Sequence, residues 1–324
     1  MPQQAENKSP AETSTPTNDE NLGPAALVRR GDTIALLGGA MMEACQTHAA
    51  IELPIQLTLP RHQIRVRNLA WSGDDLRARS RAVFDGPSDP AKGMQRLLKD
   101  IRTAQPSVLV LGYGQSTAMD VGDQPDDLES MTARFGSDLR ALIERISQSS
   151  SNAENGDTPT VTPPRILLLT PVIIPGVRVA QYRSAVVSCR RVMQEVAAET
   201  PGDVRLVSLP INLLMQNELG DVVSTIPARP VLLEWGRAIS EALTGKPTVN
   251  ASSDTTADAL RSAIVRKNAD FFHRYRPQNE TYLFLFRKHE QGNNAVEVPK
   301  FTSLARQGDA NIWNAAIQAA TAQR

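Results

Sequence analysis

The chain has 324 residues, and its 35 lysines and arginines balance 35 aspartates and glutamates to a net charge of zero. That length buries a core large enough to fold without staples, and the charge balance leaves no global field to draw the protein to nucleic acid or to an anionic membrane. Cys45 and Cys189 stand far apart outside any Cys-x-x-Cys spacing, which excludes a disulfide framework and a zinc cluster and leaves one bridge open.

Residues 1–22 are mostly Pro, Ser, Thr, Asn, Gln and Glu with almost nothing to bury, and predict a disordered tail. They offer neither a basic start nor an apolar h-region, so no signal peptide is visible, and no apolar run in the chain approaches the roughly 20 residues that cross a bilayer. From Leu27 on, short apolar runs alternate with helical patterns. Thr33–Gly38, Ile64–Ala70, Ser107–Tyr113, Arg165–Thr170 and Val204–Leu209 read as strands. Lys92–Thr103, Leu128–Ile146, Val179–Glu199 and Pro230–Leu243 are long enough to be the helical crossovers between parallel strands.

This rhythm predicts an α/β fold, a three-layer α/β/α sandwich on a five-stranded parallel sheet of flavodoxin-like type. The stretch Ser147–Thr160, rich in Ser, Asn, Gly and Asp, reads as a flexible surface insertion before the fourth strand. A second polar link, Thr248–Thr256, leads into a C-terminal extension that ends in a predicted helix, Ile312–Ala322. The expected organisation is therefore a tail (1–22), one domain (23–247) and an extension (248–324) packed on it.

In open α/β sheets ligands sit beyond the carboxyl ends of the strands. After the first strand comes Gly38-Gly39-Ala40-Met41-Met42-Glu43, after the second Trp71-Ser72-Gly73-Asp74-Asp75, and after the third Gly114-Gln115-Ser116. Downstream, Asp221-Val222-Val223-Ser224 precedes the helix that carries Trp235. The Gly38-Gly39 turn could cradle an anion, but no Gly-x-Gly-x-x-Gly and no Walker lysine follow. No His/Asp/Glu cluster has ligand spacing, so neither a metal nor a cofactor is implied. Glu43 and Asp74 form a possible carboxylate pair, a weak signal without a distance. His48, His62, His273 and His289 are the only imidazoles, and none is placed in sequence as a base. The hydroxyls nearest the expected cleft, Ser72 and Ser116, have no evident activator.

Two stretches carry a family resemblance. Arg67-Asn68-Leu69-Ala70-Trp71-Ser72-Gly73-Asp74, and Arg276-Pro277-Gln278-Asn279-Glu280-Thr281-Tyr282 with Phe286-Arg287-Lys288-His289-Glu290-Gln291-Gly292, resemble the SGNH or GDSL-like hydrolases. The likeness is to the branch found in large multidomain proteins of planctomycete-type bacteria, and it runs from about Gly31 to Asp309. In that superfamily a Gly-Asp-Ser turn supplies the nucleophile, a Gly and an Asn complete the oxyanion hole, and an Asp-x-x-His segment supplies the base.

Carried over residue by residue, the resemblance puts the serine position on Ala40 and the acidic position before it on Gly39. It puts the oxyanion glycine on Gly73, the Gly-x-Asn block on Gly114-Gln115-Ser116, and the Asp-x-x-His block on Asp221 to Ser224. The branch often relaxes its first turn to Gly-Asn-Thr, and this chain goes one step further. What is implied is a pseudo-hydrolase: a cleft bounded by Gly38, Gly39, Trp71, Ser72, Gly73, Gln115 and Ser116 that binds a carbohydrate or acyl ester without catalytic machinery. The alternatives are an active carboxylesterase or deacetylase with a relocated serine, and a structural domain that presents Arg276, Arg287 and His289 to a protein partner. The resemblance also implies export or a periplasmic setting.

Overall fold

The computed structural model describes residues 22–23, 25–85, 89, 91–151, 162–174, 177–199, 204–210, 229–248, 255–277, 279–290 and 294–322. Five strands, β1 (Thr33–Gly38), β2 (Arg65–Asn68), β3 (Val108–Gly112), β4 (Arg165–Leu169) and β5 (Val204–Val207), form one parallel sheet in the order β2-β1-β3-β4-β5. This is the flavodoxin-like doubly wound order, whose direction reverses at β1, between β2 and β3. The inner strands read as continuous apolar runs because helices cover both of their faces: Ile34 to Leu37, Val108 to Leu111 and Ile166 to Leu169 are all buried.

The crossovers α3 (Ala91–Ala104), α5 (Asp127–Ser151) and α6 (Tyr182–Glu199) overlap their expected helices, as does α7 (Arg229–Thr244), which follows the last strand and so links no pair of strands. Shorter helices α1 (Ala40–Ala44), α2 (Glu52–Thr58) and α4 (Gln115–Met119) follow strand ends. Beyond α7 lie α8 (Thr255–Tyr275), α9 (Glu280–Leu283) and α10 (Lys300–Ala322), with α8 and α10 packed against each other. Gly308 makes that packing close, since a Cβ there would sit 2.6 Å from Lys267 Cγ. Tyr282 to Phe286 fall in the end of the short helix α9 and the turns after it, and His48 sits in the turns that follow α1.

What occupies the β2 edge of the sheet is a set of side chains. In a parallel ladder alternate residues turn their backbone groups to the neighbouring strand, so every second carbonyl of an edge strand points outward and needs a partner. Here Ile64 O accepts from Trp313 Nε1 at 3.0 Å and Gln56 Nε2 at 2.9 Å, and Val66 O accepts from Lys267 Nζ at 2.9 Å. Leu69 O, at the end of the strand, accepts from Tyr275 Oη at 2.6 Å and Arg81 Nη2 at 2.7 Å. Helices α8 and α10 thus seal β2 with side chains where another strand would pair.

The same contact buries two ion pairs. Arg67 grips Asp309 with both Nη atoms, and Lys267 Nζ, fully buried, reaches Glu52 Oε2 at 2.7 Å and Asn268 Oδ1 at 2.8 Å. Burial pushes the Lys267 amine down and the Glu52 carboxyl up, and their mutual attraction opposes both shifts. Three acceptors around Nζ match the three protons of an ammonium, so the charged form is the one the site satisfies. Away from this seam, Cys45 and Cys189 are free, buried thiols, each pushed up to about 12 by burial, so no bridge forms.

Breaking a buried pair leaves a charge without a counter-ion. Asp309→Ala is expected to cost about 3–5 kcal/mol in urea unfolding, whereas Arg140→Ala, which removes the exposed pair with Glu199, should cost less than about 1 kcal/mol. On α3, burial lifts the Asp100 carboxyl to about 6, against an ordinary value of about 3.9. The folded state therefore holds this proton more tightly than the unfolded state, and stability falls as pH rises from about 4 to about 6. Asp100→Asn should flatten that slope and raise stability at neutral pH by on the order of 2 kcal/mol, read from thermal melts across the pH range.

Candidate functional site

The carboxyl ends of β1, β3 and β4 open into a cavity of about 190 Å³. Strand β1 runs into Gly39, which is the N-cap of α1, so Ala40 opens that helix with its methyl group on the cavity lining. Met42, one turn on, lies over the end of β3: a Cβ on Gly112 would stand 2.6 Å from its Cγ.

The second wall is the loop after β2. Asp74 anchors it from below, with 2% of its surface exposed and Oδ2 accepting from Arg81 Nε at 2.8 Å. Burial raises the Asp74 carboxyl, and the Arg81 charge acts against that rise. Asp75 Oδ1 accepts the Arg77 and Arg79 backbone N–H groups at 3.1 Å each, which closes the turn. Gly73 stands at its crest with φ +78°, a left-handed conformation that favours glycine. Among the described residues its N–H enters no hydrogen bond, while its carbonyl accepts from Ser80 Oγ at 2.6 Å.

The third wall is α4. Ser116 Oγ donates to the Asp74 carbonyl at 3.0 Å and would stand 3.6 Å from a Cβ placed on Gly39, so three strand ends converge at one point. Gln115 is committed to structure: its Nε2 donates to Val172 O at 2.6 Å and Tyr182 Oη at 2.9 Å, tying α4 to the segment after β4. The remaining lining is mostly apolar or aromatic, including Met41, Met119, Ile174, Leu209 and Trp235, with the Thr170 hydroxyl among it, and among the described residues no charged side chain contributes. Trp235 is 3% exposed, and its Nε1–H has no partner among the described residues.

The structure therefore brings Gly39, Ala40, Gly73, Gln115 and Ser116 to one cavity. Trp71 and Ser72 face elsewhere. Trp71 is buried beneath the Arg276 guanidinium at 4.0 Å and meets Tyr275 edge-on at 6.2 Å. Ser72 Oγ donates to Glu43 Oε2 at 2.7 Å, and Glu43 pairs with Arg276 at 3.2 Å. Glu43 and Asp74 thus serve different cations and form no carboxylate pair. Gly38 belongs to the last turn of β1, behind the lining. Arg276 is spent inside the fold, Arg287 on Glu290 and the Tyr282 ring, and His289 is exposed. Asp221 and Ser224 lie outside the described residues. None of the four histidines lines the cavity. Sequence reading missed Met41, Met42 and Met119 as lining. Their sole signal was position, in the first turn of the helix after β1 and the last turn of the helix after β3.

No family model matches the sequence, and no curated protein does. Among solved structures, a variant of an acetyl xylan esterase from Geobacillus stearothermophilus is 15% identical with a TM-score of 0.47, over 70% of this chain and 100% of that one. A lipase/acylhydrolase from Enterococcus faecalis is 15% identical with a TM-score of 0.43, over 67% and 98%. A gut microbial diltiazem-metabolizing enzyme is 16% identical with a TM-score of 0.39; the match takes in 56% of this chain and spans 38% of that enzyme. These likenesses concern the course of the chain, and no residue role is taken from them. In the course of its chain the protein is similar to an acetyl xylan esterase and a lipase/acylhydrolase.

Proposed function

We propose that this protein is a catalytically silent counterpart of an SGNH-type ester hydrolase, a binding or scaffolding module whose cleft holds the acyl group of an ester or an acylated carbohydrate. One observation carries the reading: Ala40 opens α1 where a nucleophile would stand, and a methyl group cannot attack a carbonyl. The nearest hydroxyl, Ser116, is spent on the Asp74 carbonyl, and the lining contains no imidazole to take its proton.

The retained features suit binding. Gly73 keeps an N–H free of internal bonds, and an acyl carbonyl is a fitting acceptor for it. Among the described residues the lining carries no charge, which suits a small neutral guest; an apolar cavity of about 150 Å³ is already enough to hold benzene. Proteins in the same fold comparison include an acetyl xylan esterase, which makes acetylated sugars the first ligands to try.

Ser72 favours a second reading, because its hydroxyl donates to a carboxylate, Glu43, at 2.7 Å. A relocated serine would need that carboxylate as its base, and Arg276 already holds it.

One set of assays separates these readings. The purified protein is expected to hydrolyse p-nitrophenyl acetate no faster than buffer, and Ala40→Ser is expected not to restore activity, because a serine without a base lacks on the order of a thousandfold or more in rate. Hydrolysis that vanishes on Ser72→Ala would replace the first reading with the second. For binding, peracetylated xylose should raise the melting temperature, and Ser116→Leu, which fills the cavity, should abolish the shift. No shift in the unaltered protein would remove the cleft-binding reading.

A further inference from the structure

A second and larger hollow lies away from the strand ends. It measures about 1060 Å³ and runs between α3 on one side and α8 with α10 on the other, over the outer part of the sheet. Its α3 wall extends from Lys92 to Thr103 and its α10 wall from Thr302 to Trp313, each about 17 Å at the rise of a helix. It is an elongated groove.

Its charge is out of keeping with the chain. Among the described residues eight lysine and arginine side chains line it against three carboxylates, in a protein whose net charge is zero. The three carboxylates are already taken or faced by arginines: Asp309 by Arg67, Glu280 by Arg96, and Asp100 by Arg81 at 3.9 Å. Lys99 on one wall, and Arg274 and Arg306 on the other, make no ion pair among the described residues. Cations arrayed on both walls of one groove raise its potential and attract a ligand of opposite sign.

The lining also narrows the kind of anion. Trp313 already carries the Arg65 guanidinium at 5.0 Å, and Phe271 carries that of Arg67 at 5.4 Å. The rings are thus engaged, and the groove lacks the run of open aromatic faces on which bases stack. A lipid chain fits no better, because it would lie across the buried Arg67–Asp309 pair. One apolar anchor remains open, Phe284, 49% exposed at one end beside Leu285.

We infer that this groove binds an acidic peptide segment of a partner protein, its carboxylates meeting Lys99 on one wall and Arg274 and Arg306 on the other, with an apolar side chain against Phe284. The groove length accommodates about five residues of extended chain. Arginine–carboxylate pairs would supply direction and register, and the surface is distinct from the Ala40 cavity, so its role does not depend on what that cavity holds.

The test uses the whole protein and a fluorescein-labelled peptide of alternating glutamate and leucine, with a glutamine-for-glutamate counterpart, read by fluorescence anisotropy. The acidic peptide should bind at least about tenfold tighter than its counterpart, and more weakly as salt screens the walls. Lys99→Glu with Arg306→Glu, both exposed positions outside any ion pair among the described residues, should weaken it by about tenfold or more, in a variant whose circular dichroism spectrum shows it folded. If that variant fails to fold, Lys99→Gln with Arg306→Gln asks the same question through a smaller loss. Equal binding of the two peptides would overturn the inference, as would full affinity in a folded variant. So would preferential binding of heparin oligosaccharide or of phosphatidylserine vesicles over the acidic peptide.

Discussion

The outward carbonyls of β2 are the constraint on which this structure turns. An edge strand with unpaired carbonyls invites either another strand or water, and this chain answers with Trp313, Lys267 and Tyr275 from its last two long helices. The solution binds residues more than 200 positions apart into one seam and buries two ion pairs in doing so. Buried pairs of this kind add little net stability, yet they tolerate no half-removal, because the surviving charge would be stranded in a medium that cannot solvate it. The C-terminal helices are therefore part of the sheet's own hydrogen-bond accounting.

That seam also sets the cleft. Tyr275 and Arg81 share the Leu69 carbonyl, and Arg81 in turn holds Asp74, so the position of the Gly73 crest is determined by a chain of buried polar contacts that begins in α8. Ser116 then reads the same loop through the Asp74 carbonyl. The result is a hollow whose walls are tied together by these contacts and whose lining includes Ala40 and three methionines, Met41, Met42 and Met119. Acyl transfer demands an attacking atom and a proton acceptor at hydrogen-bond reach of one another, and this lining holds the Ser116 hydroxyl but none of the four histidines.

The strand–helix alternation was legible because buried parallel strands are long apolar runs that few other structures require. All five strands and the four expected helices fall where the pattern puts them, with ends displaced by at most three residues except at α5, which runs on to Ser151. The convergence of Gly39, Gly73 and Ser116 was legible for a topological reason, since each follows a strand of one parallel sheet. The fates of Trp71 and Ser72 were not, because a loop's two neighbouring side chains point in different directions and only packing against Arg276 and Glu43 decides which enters the cleft. The edge seal was equally hidden: the pattern predicted neither α8 nor the first half of α10, and the burial of Lys267 and Asp309 there follows from a carbonyl and an arginine supplied by a distant strand.

Met41, Met42 and Met119 together make the hollow over Ala40 unusually soft at its base. Thioethers are unbranched and polarizable, so such a floor can reshape itself around guests of different outline at small cost. The same sulfurs set a vulnerability: conversion of any of them to the sulfoxide would place a polar, chiral group in an uncharged chamber and spoil it for apolar guests until a reductase reversed the change. The polarity of this chamber is thereby tied to the oxidative history of the protein.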